Sequence, residues 1–301
     1  MIEADRLTRR YGSFVAATEV SFAIEPGEIV GLLGHNGAGK TTIMKMLTGY
    51  LEPSSGLTRI DGIEVEQDPL SVQANLGYLP ENLPLYPELS VCDYLAFVAK
   101  LRGVDPQSSV ARAIKATELG EKALDPIGTL SRGFRQRVGV AQAILHEPRF
   151  LILDEPTNGL DPGQTQQMRQ LIQQLAAHAT VILSTHIMQE VDAICDRVLI
   201  LRGGELVLDE RMKALKTSNN LRLRCGDGAV GAALSGIDEV RDVQSVDGGW
   251  NLSVAGDLDA VAERVAGALH EGGVALRELT AVQRDLETVF REANEGAQHA
   301  G

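Results

Sequence analysis

The sequence predicts an α/β fold followed by a smaller α+β domain, on three observations. Up to about residue 210, short β-branched strands alternate with helical segments, as in "TVILST" (180 to 185) followed by "HIMQEVDAIC", the pattern of a parallel sheet covered by helices. A glycine-rich turn, "GLLGHNGAGKTT" (31 to 42), lies directly between one such strand and one such helix. After "KTSNN" (216 to 220) the order changes to strand, helix, strand, strand, helix, strand.

Bulk properties narrow the classes. A chain of 301 residues with 44% apolar side chains can bury a core and hold more than one domain. Against 28 Lys and Arg stand 41 Asp and Glu, a net charge of −13, which argues against nucleic acid as a partner. The opening "MIEADRLTRR" has no apolar h-region, and no apolar run reaches the roughly 18 residues of a span. A cytoplasmic chain is expected. Cys92, Cys195 and Cys225 are scattered without CxxC or Cys/His spacing, so reduced thiols are expected and not a zinc site.

Each element follows from local chemistry. "EIVGLL" is the strand before the turn and "TTIMKMLTG" the helix after it, and between them Gly34, His35, Asn36, Gly37, Ala38, Gly39, Lys40 and Thr41 fit G-x-x-x-x-G-K-[ST]. This is the pattern of a phosphate loop. Its glycines let backbone N–H groups turn inward around an anion, and the helix, opening at Thr41 and Thr42, aims its positive end at the same point. Lys40 would reach the β- and γ-phosphates and the Thr41 hydroxyl would complete the coordination of Mg²⁺. "LPLYPELSVCDYLAFVAKLRG" (83 to 103) begins with two prolines and continues as an amphipathic helix, with Leu85, Tyr86 and Leu89 expected either exposed, as a groove for a partner's helix, or packed inside the helical subdomain. In "LSRGFRQRVGVAQAILHEPR" (130 to 149), Ser131 is a good N-cap and Val138, Ala141 and Leu145 recur at helical spacing until Pro148 stops the helix. "FLILDEP" (150 to 156) is a buried strand ending in two carboxylates whose side chains diverge. Asp154 would hold Mg²⁺ through water and Glu155 would polarise the attacking water as general base. The tail reads as strands "LRLRC", "EVRDVQSV", "WNLSVAG" and "VALRELTA", with helices "AVGAALSGI" and "DLDAVAERVAGALHEG", a turn at Gly248 and Gly249, and a last amphipathic helix "DLETVFREAN".

With the signature-like "LSRGF" placed between the phosphate loop and the carboxylate strand, the chain resembles the ATP-binding-cassette ATPases. Residues 11 to 186 carry the likeness. Relative to the family's "LSGGQ", Ser131 and Gly133 are retained, while Arg132 and Phe134 replace the first glycine and the glutamine. The resemblance implies a P-loop NTPase cassette, a mixed sheet core with a helical subdomain at about 88 to 147, working with ATP and Mg²⁺. It implies a head-to-tail homodimer in which Ser131 and Gly133 close on the γ-phosphate held by the other copy, with Arg132 adding a cation nearby. Tyr11 in "RYGSFVA" matches the aromatic that stacks on adenine, Asp161 in "NGLDP" the D-loop at the dimer interface, and His186 the switch histidine that contacts the γ-phosphate. Glu81 stands where the family usually carries a glutamine that touches the metal and the attacking water. A carboxylate there is repelled by the γ-phosphate unless the metal or Arg132 compensates.

The same likeness sets the expected setting. The domains are a cassette at 1 to 216 and a ferredoxin-like accessory domain at 217 to 301, acidic and read as regulatory or dimer-bracing. The partner is an integral membrane permease whose short helix is received near Leu85, Tyr86 and Leu89, which places the chain on the inner face of the cell membrane. "YLPEN" and the extra domain are similar to ABC-2-type cassettes, including those of gliding motility and nitrous-oxide reductase maturation. The competing readings are a soluble cassette ATPase that remodels ribosomes or DNA, against which stands the single cassette without charged linker or long coiled coil, and a nucleotide-dependent scaffold, against which stand Lys40, Asp154, Glu155 and His186.

Overall fold

The structure, a computed structural model, describes residues 1–226, 230–283 and 285–295. The described residues divide into two compact units, Met1–Met212 together with residues 292–295, and Lys213–Arg291. The first unit opens with β1 (Ile2–Tyr11), β2 (Phe14–Ile24) and β3 (Ile29–Leu33), then α1 (Lys40–Leu47), β4 (Ser55–Ile60), β5 (Ile63–Glu64), α2 (Pro69–Ala74) and β6 (Leu76–Leu79). The helices α3 (Val91–Leu101), α4 (Pro106–Ala116) and α5 (Arg132–Ile144) follow. Then come β7 (Phe150–Asp154), α6 (Pro162–Ala176), β8 (Thr180–Thr185), α7 (Met188–Ile194), β9 (Arg197–Arg202), β10 (Glu205–Arg211) and α8 (Met212–Lys216).

These strands make two sheets. One has the order β10-β9-β3-β8-β7-β6, parallel except for its β10 edge. Its central strands β3, β7 and β8 are buried at every residue, as continuous apolar runs are when helices cover both faces. The other, β2-β1-β4-β5, is antiparallel. Ile43, Met44, Met46 and Leu47 of α1 lie fully buried in one core with Ile2 and Leu7 of the antiparallel sheet and Phe150, Ile152 and Ile182 of the parallel one. That packing fixes α1, and with it the start of the phosphate loop helix.

A second core holds α3, α4 and α5 together around Tyr94, Leu95, Val138 and Leu145. Helix α3 begins only at Val91, because Ser90 caps it by accepting from the Asp93 N–H at 3.1 Å, whereas the segment with Pro84 and Pro87 is irregular. The three candidate residues of that segment divide between the two expected placements. Tyr86 is exposed, but Leu85 and Leu89 are half-buried and pack on the α3–α5 core.

The second unit holds β11 (Thr217–Cys225), α9 (Val230–Leu234), β12 (Val240–Val246), β13 (Gly249–Val254), α10 (Leu258–Glu271) and β14 (Leu276–Gln283), and α11 (Leu286–Glu295) as far as Arg291. The sheet order β12-β13-β11-β14 with every pair antiparallel is the ferredoxin-like arrangement. Val246 pairs with Gly249, so the two turn residues are Asp247 and Gly248, one position earlier than the sequence suggested. Gly248 supplies the positive φ, 76°, that such a turn requires. Leu221, Leu223, Leu252, Val261, Val265 and Leu269 form its core.

Candidate functional site

The phosphate loop forms because β3 ends in the core and α1 must start again beside it. Gly39 carries φ 101°, and a Cβ there would lie 2.4 Å from the Ala16 carbonyl oxygen. At Gly34 a Cβ would lie 2.7 Å from the Leu201 carbonyl oxygen. The glycines therefore meet a steric demand as well as a conformational one. Lys40, 6% exposed, donates to the carbonyl oxygens of Gly34 at 2.7 Å and His35 at 3.3 Å, and lies 3.6 Å from Glu155 Oε1. Ala38 is buried under the loop.

On the facing side, β7 delivers Asp154 and Glu155 to the same place. Asp154 is fully buried; its Oδ1 accepts from the Ser184 hydroxyl, across the β7–β8 pairing, and its Oδ2 has no hydrogen-bond partner among the described residues. Glu155 leaves the strand with φ 51°, and its N–H donates to the Ser184 carbonyl at 3.2 Å and hydroxyl at 3.0 Å. The left-handed turn separates the two carboxylates: Asp154 stays on the strand while Glu155 faces Lys40 and His186. Glu155 Oε2 is 2.9 Å from His186 Nδ1. Burial raises the Glu155 carboxyl above its ordinary value, against the opposing pull of His186 and Lys40.

Asn36, Gly37, Gly39, Lys40, Thr41 and Thr42 line one cleft of about 520 Å³ together with Glu81, Glu155 and His186. Phe14, Ala16 and Asn158 line it too. Sequence reasoning missed these three; the only signal for Phe14 was an aromatic residue close to Tyr11 and the loop in the fold. Tyr11 itself is absent from the lining. It sits at the end of β1, half-exposed, opposite Phe14 in the β1–β2 hairpin, with the Arg9 guanidinium 4.8 Å from its ring centre.

The signature residues lie apart from this cleft within the chain. Ser131 caps α5, accepting from the Phe134 N–H at 3.4 Å. Gly133 packs on α6, where a Cβ would come 2.8 Å from the Gln164 side chain. The Arg132 guanidinium rests on Gly159, in the turn that follows Glu155: a Cβ at Gly159 would lie 2.4 Å from its Cζ. Asp161 caps α6 by accepting from the Gln164 N–H at 2.9 Å. The start of α5 and the turn leading into α6 are thus braced on one another, and Arg132 lines a second groove with Glu81, Leu83 and Leu85.

Residues 17–158 match the ABC transporter family. The linearmycin resistance ATP-binding protein LnrL of Bacillus subtilis (strain 168) is 34% identical over 244 residues, 79% of this chain and 76% of that protein. The bacitracin transport ATP-binding protein BcrA of Enterococcus faecalis is 33% identical over 238 residues, 78% of this chain and 77% of that one. Among solved structures, an ATP-binding subunit of an ABC transporter superposes with a TM-score of 0.65 at 29% identity, over 71% of this chain and 91% of that one. With a phosphate loop, a paired-carboxylate strand and a strand-end histidine meeting in one cleft, and with relatives of this extent, the chain belongs to the ATP-binding proteins of the ABC transporter family.

Proposed function

We propose that the cleft holds ATP with Mg²⁺ in a head-to-tail pair of cassettes, each phosphate loop being closed by Ser131 and Gly133 of the other copy. As a member of its family the chain is an ATP-binding, ATP-hydrolysing subunit of an ABC transporter. The observation that carries the site reading is the convergence of Lys40, Glu155 and His186 beside a buried Asp154 oxygen that no donor among the described residues satisfies. That oxygen and the Thr41 hydroxyl fit a magnesium ion. Among the described residues no cluster of three or more His, Cys, Asp and Glu could hold a metal, and Mg²⁺ characteristically takes one or two protein ligands and completes its shell with water and substrate phosphate. When bound, Mg²⁺ neutralises the charge on the β- and γ-phosphate oxygens.

The chain's own groups do the rest. Lys40 exchanges the Gly34 and His35 carbonyls for phosphate oxygens. Glu155 takes a proton from the water that attacks the γ-phosphorus, as the bond to the ADP oxygen breaks. His186 fixes the Glu155 carboxylate and contacts the γ-phosphate. Glu81 lines the cleft wall, where it would sense the metal when one is bound. Tyr11, next to Phe14, stacks on the adenine, Arg132 sets a cation at the closing interface, and Asp161 lies along it. The groove of about 630 Å³ lined by Leu83, Leu85, Pro87 and Arg135 receives a short helix of a separate membrane permease. Among the described residues no helix is long and apolar enough to cross a membrane. The permease partner would place the chain on the inner face of the cell membrane. The ferredoxin-like unit braces or regulates the pair.

Two measurements on the Glu155→Gln protein test this. Hydrolysis should fall by roughly a thousandfold, the scale of a lost general base, while ATP binding persists. Retention of a polytopic membrane protein from detergent extracts by the ATP-loaded variant supports the transport reading. Undiminished hydrolysis overturns the assignment of the base; retention of ribosomal proteins in place of a permease moves the function to the soluble class.

A further inference from the structure

Glu190 is a buried carboxylate that the hydrolytic scheme leaves without a task. It stands on α7, 2% exposed, and among the described residues no cation pairs with it. An uncompensated carboxylate in a core is strongly disfavoured. What compensates it is a pair of hydroxyls from two different segments. Its Oε1 accepts from Thr157, and its Oε2 accepts from Thr185 at 2.9 Å. Both threonines are themselves buried, Thr157 at 4% and Thr185 at 0% exposure. The Thr185 hydroxyl in turn accepts from the Ile187 N–H at 3.0 Å.

The positions of the two threonines decide the meaning of the arrangement. Thr157 lies two residues after Glu155, in the turn closed by the Asn158 N–H on the Glu155 carbonyl at 3.2 Å and the Leu160 N–H on the Thr157 carbonyl at 3.1 Å. Thr185 is the residue before His186 and ends β8. The Glu155–His186 contact joins the same two segments at the cleft surface, where the His186 side chain is 42% exposed. Glu190 does so again from beneath, by bonds that no nucleotide displaces. Glu155 itself holds a left-handed φ of 51°, a conformation that persists only when its surroundings over-determine it.

We propose that Glu190 is a positioning residue of the hydrolytic centre: with Thr157 and Thr185 it clamps the turn bearing Glu155 to the strand end bearing His186 and sets the distance between base and histidine. Glu190 does not line the cleft and touches no reacting atom. The inference rests on the reading of Glu155 as base, so the Glu155→Gln control comes first: if that variant hydrolyses ATP as well as the wild type, the site reading fails before the clamp is at issue.

The test measures kcat and KM for ATP, ATP affinity and thermal midpoint for Thr157→Val, Glu190→Leu and Glu190→Gln. Thr157→Val removes one bond at nearly constant volume and keeps the carboxylate tied to Thr185, so it remains informative if Glu190→Leu does not fold. Displacing catalytic groups by fractions of an ångström to one ångström costs on the order of tenfold to a hundredfold in rate. The expected result is a kcat lowered by at least about tenfold in Thr157→Val and Glu190→Leu, with KM and ATP affinity within about twofold of wild type. Glu190→Gln should recover most of that loss, because an amide can accept from one threonine hydroxyl and donate to the other. A lowered thermal midpoint with kcat unchanged would make the network merely structural and overturn the proposal. So would a rise in KM without a fall in kcat, or a Gln variant no better than the Leu variant.

Discussion

The conformation of single residues decides what the cleft can do. At Glu155 a non-glycine residue holds φ 51°, a strain on the order of 1–3 kcal/mol, and the result is that two consecutive carboxylates serve two neighbours: Asp154 faces Ser184 and Glu155 faces Lys40 and His186. The loop glycines differ from one another in the same way. A Cβ added at Gly37 (φ 82°) would meet nothing within 4 Å, whereas at Gly39 (φ 101°) it would collide with the Ala16 carbonyl. Gly37→Ala should therefore carry strain alone, roughly 1–2 kcal/mol, and weaken ATP binding by about thirtyfold or less. Gly39→Ala must also displace the β2 backbone or the loop, and should lower affinity by much more than that. Titration of each variant with a fluorescent ATP analogue ranks the two; equal losses would mean that strain, and not the close approach, governs the loop.

Elements carry the next layer, and most of them were legible because their signals are local. Ser131 announces a helix by capping, and the apolar run 150 to 153 announces a buried strand. Lys40 and Thr41 were legible because spacing alone specifies a phosphate loop. Phe14, Asn158 and Glu190 were not: their importance depends on which strand ends meet, and that is set by a sheet order the sequence does not print. His146 is of the same kind. It follows α5, its Nε2 lies 3.1 Å from the Leu76 carbonyl at the start of β6, and its Nδ1 is buried without a partner among the described residues. Burial, and then the charge of Arg102, lower its pKa from 6.5 to about 4. The unfolded chain binds this proton more readily than the folded one, so the contribution to stability is present above pH 6.5 and is lost as the pH falls toward 4. Between pH 7 and pH 5 the loss should be about 2 kcal/mol. Denaturant melts at the two pH values measure it, and His146→Gln should remove that component; an unchanged pH dependence in the variant would place its origin elsewhere.

At the scale of the molecule, the distribution of motifs argues for a site that one copy does not complete. Lys40, Thr41, Glu155 and His186 share a cleft, while Ser131 and Gly133 cap and pack the start of α5 away from it. A helix N-terminus aimed at solvent is suited to an anion brought by another molecule. If the second copy supplies that helix end, then ATP is the adhesive of the pair and hydrolysis dissolves it. Glu155→Gln, which binds ATP without turning it over, should sediment at twice the monomer mass with ATP and as a monomer with ADP. Adding Ser131→Arg to that variant leaves its own phosphate loop intact but places a bulky side chain where the other copy's γ-phosphate would arrive. The double variant should bind the fluorescent ATP analogue with affinity close to that of the single variant measured as a monomer, yet fail to dimerise. ATP-driven dimers in the double variant would show that the pair is not joined through the signature helix, and the head-to-tail arrangement would have to be abandoned.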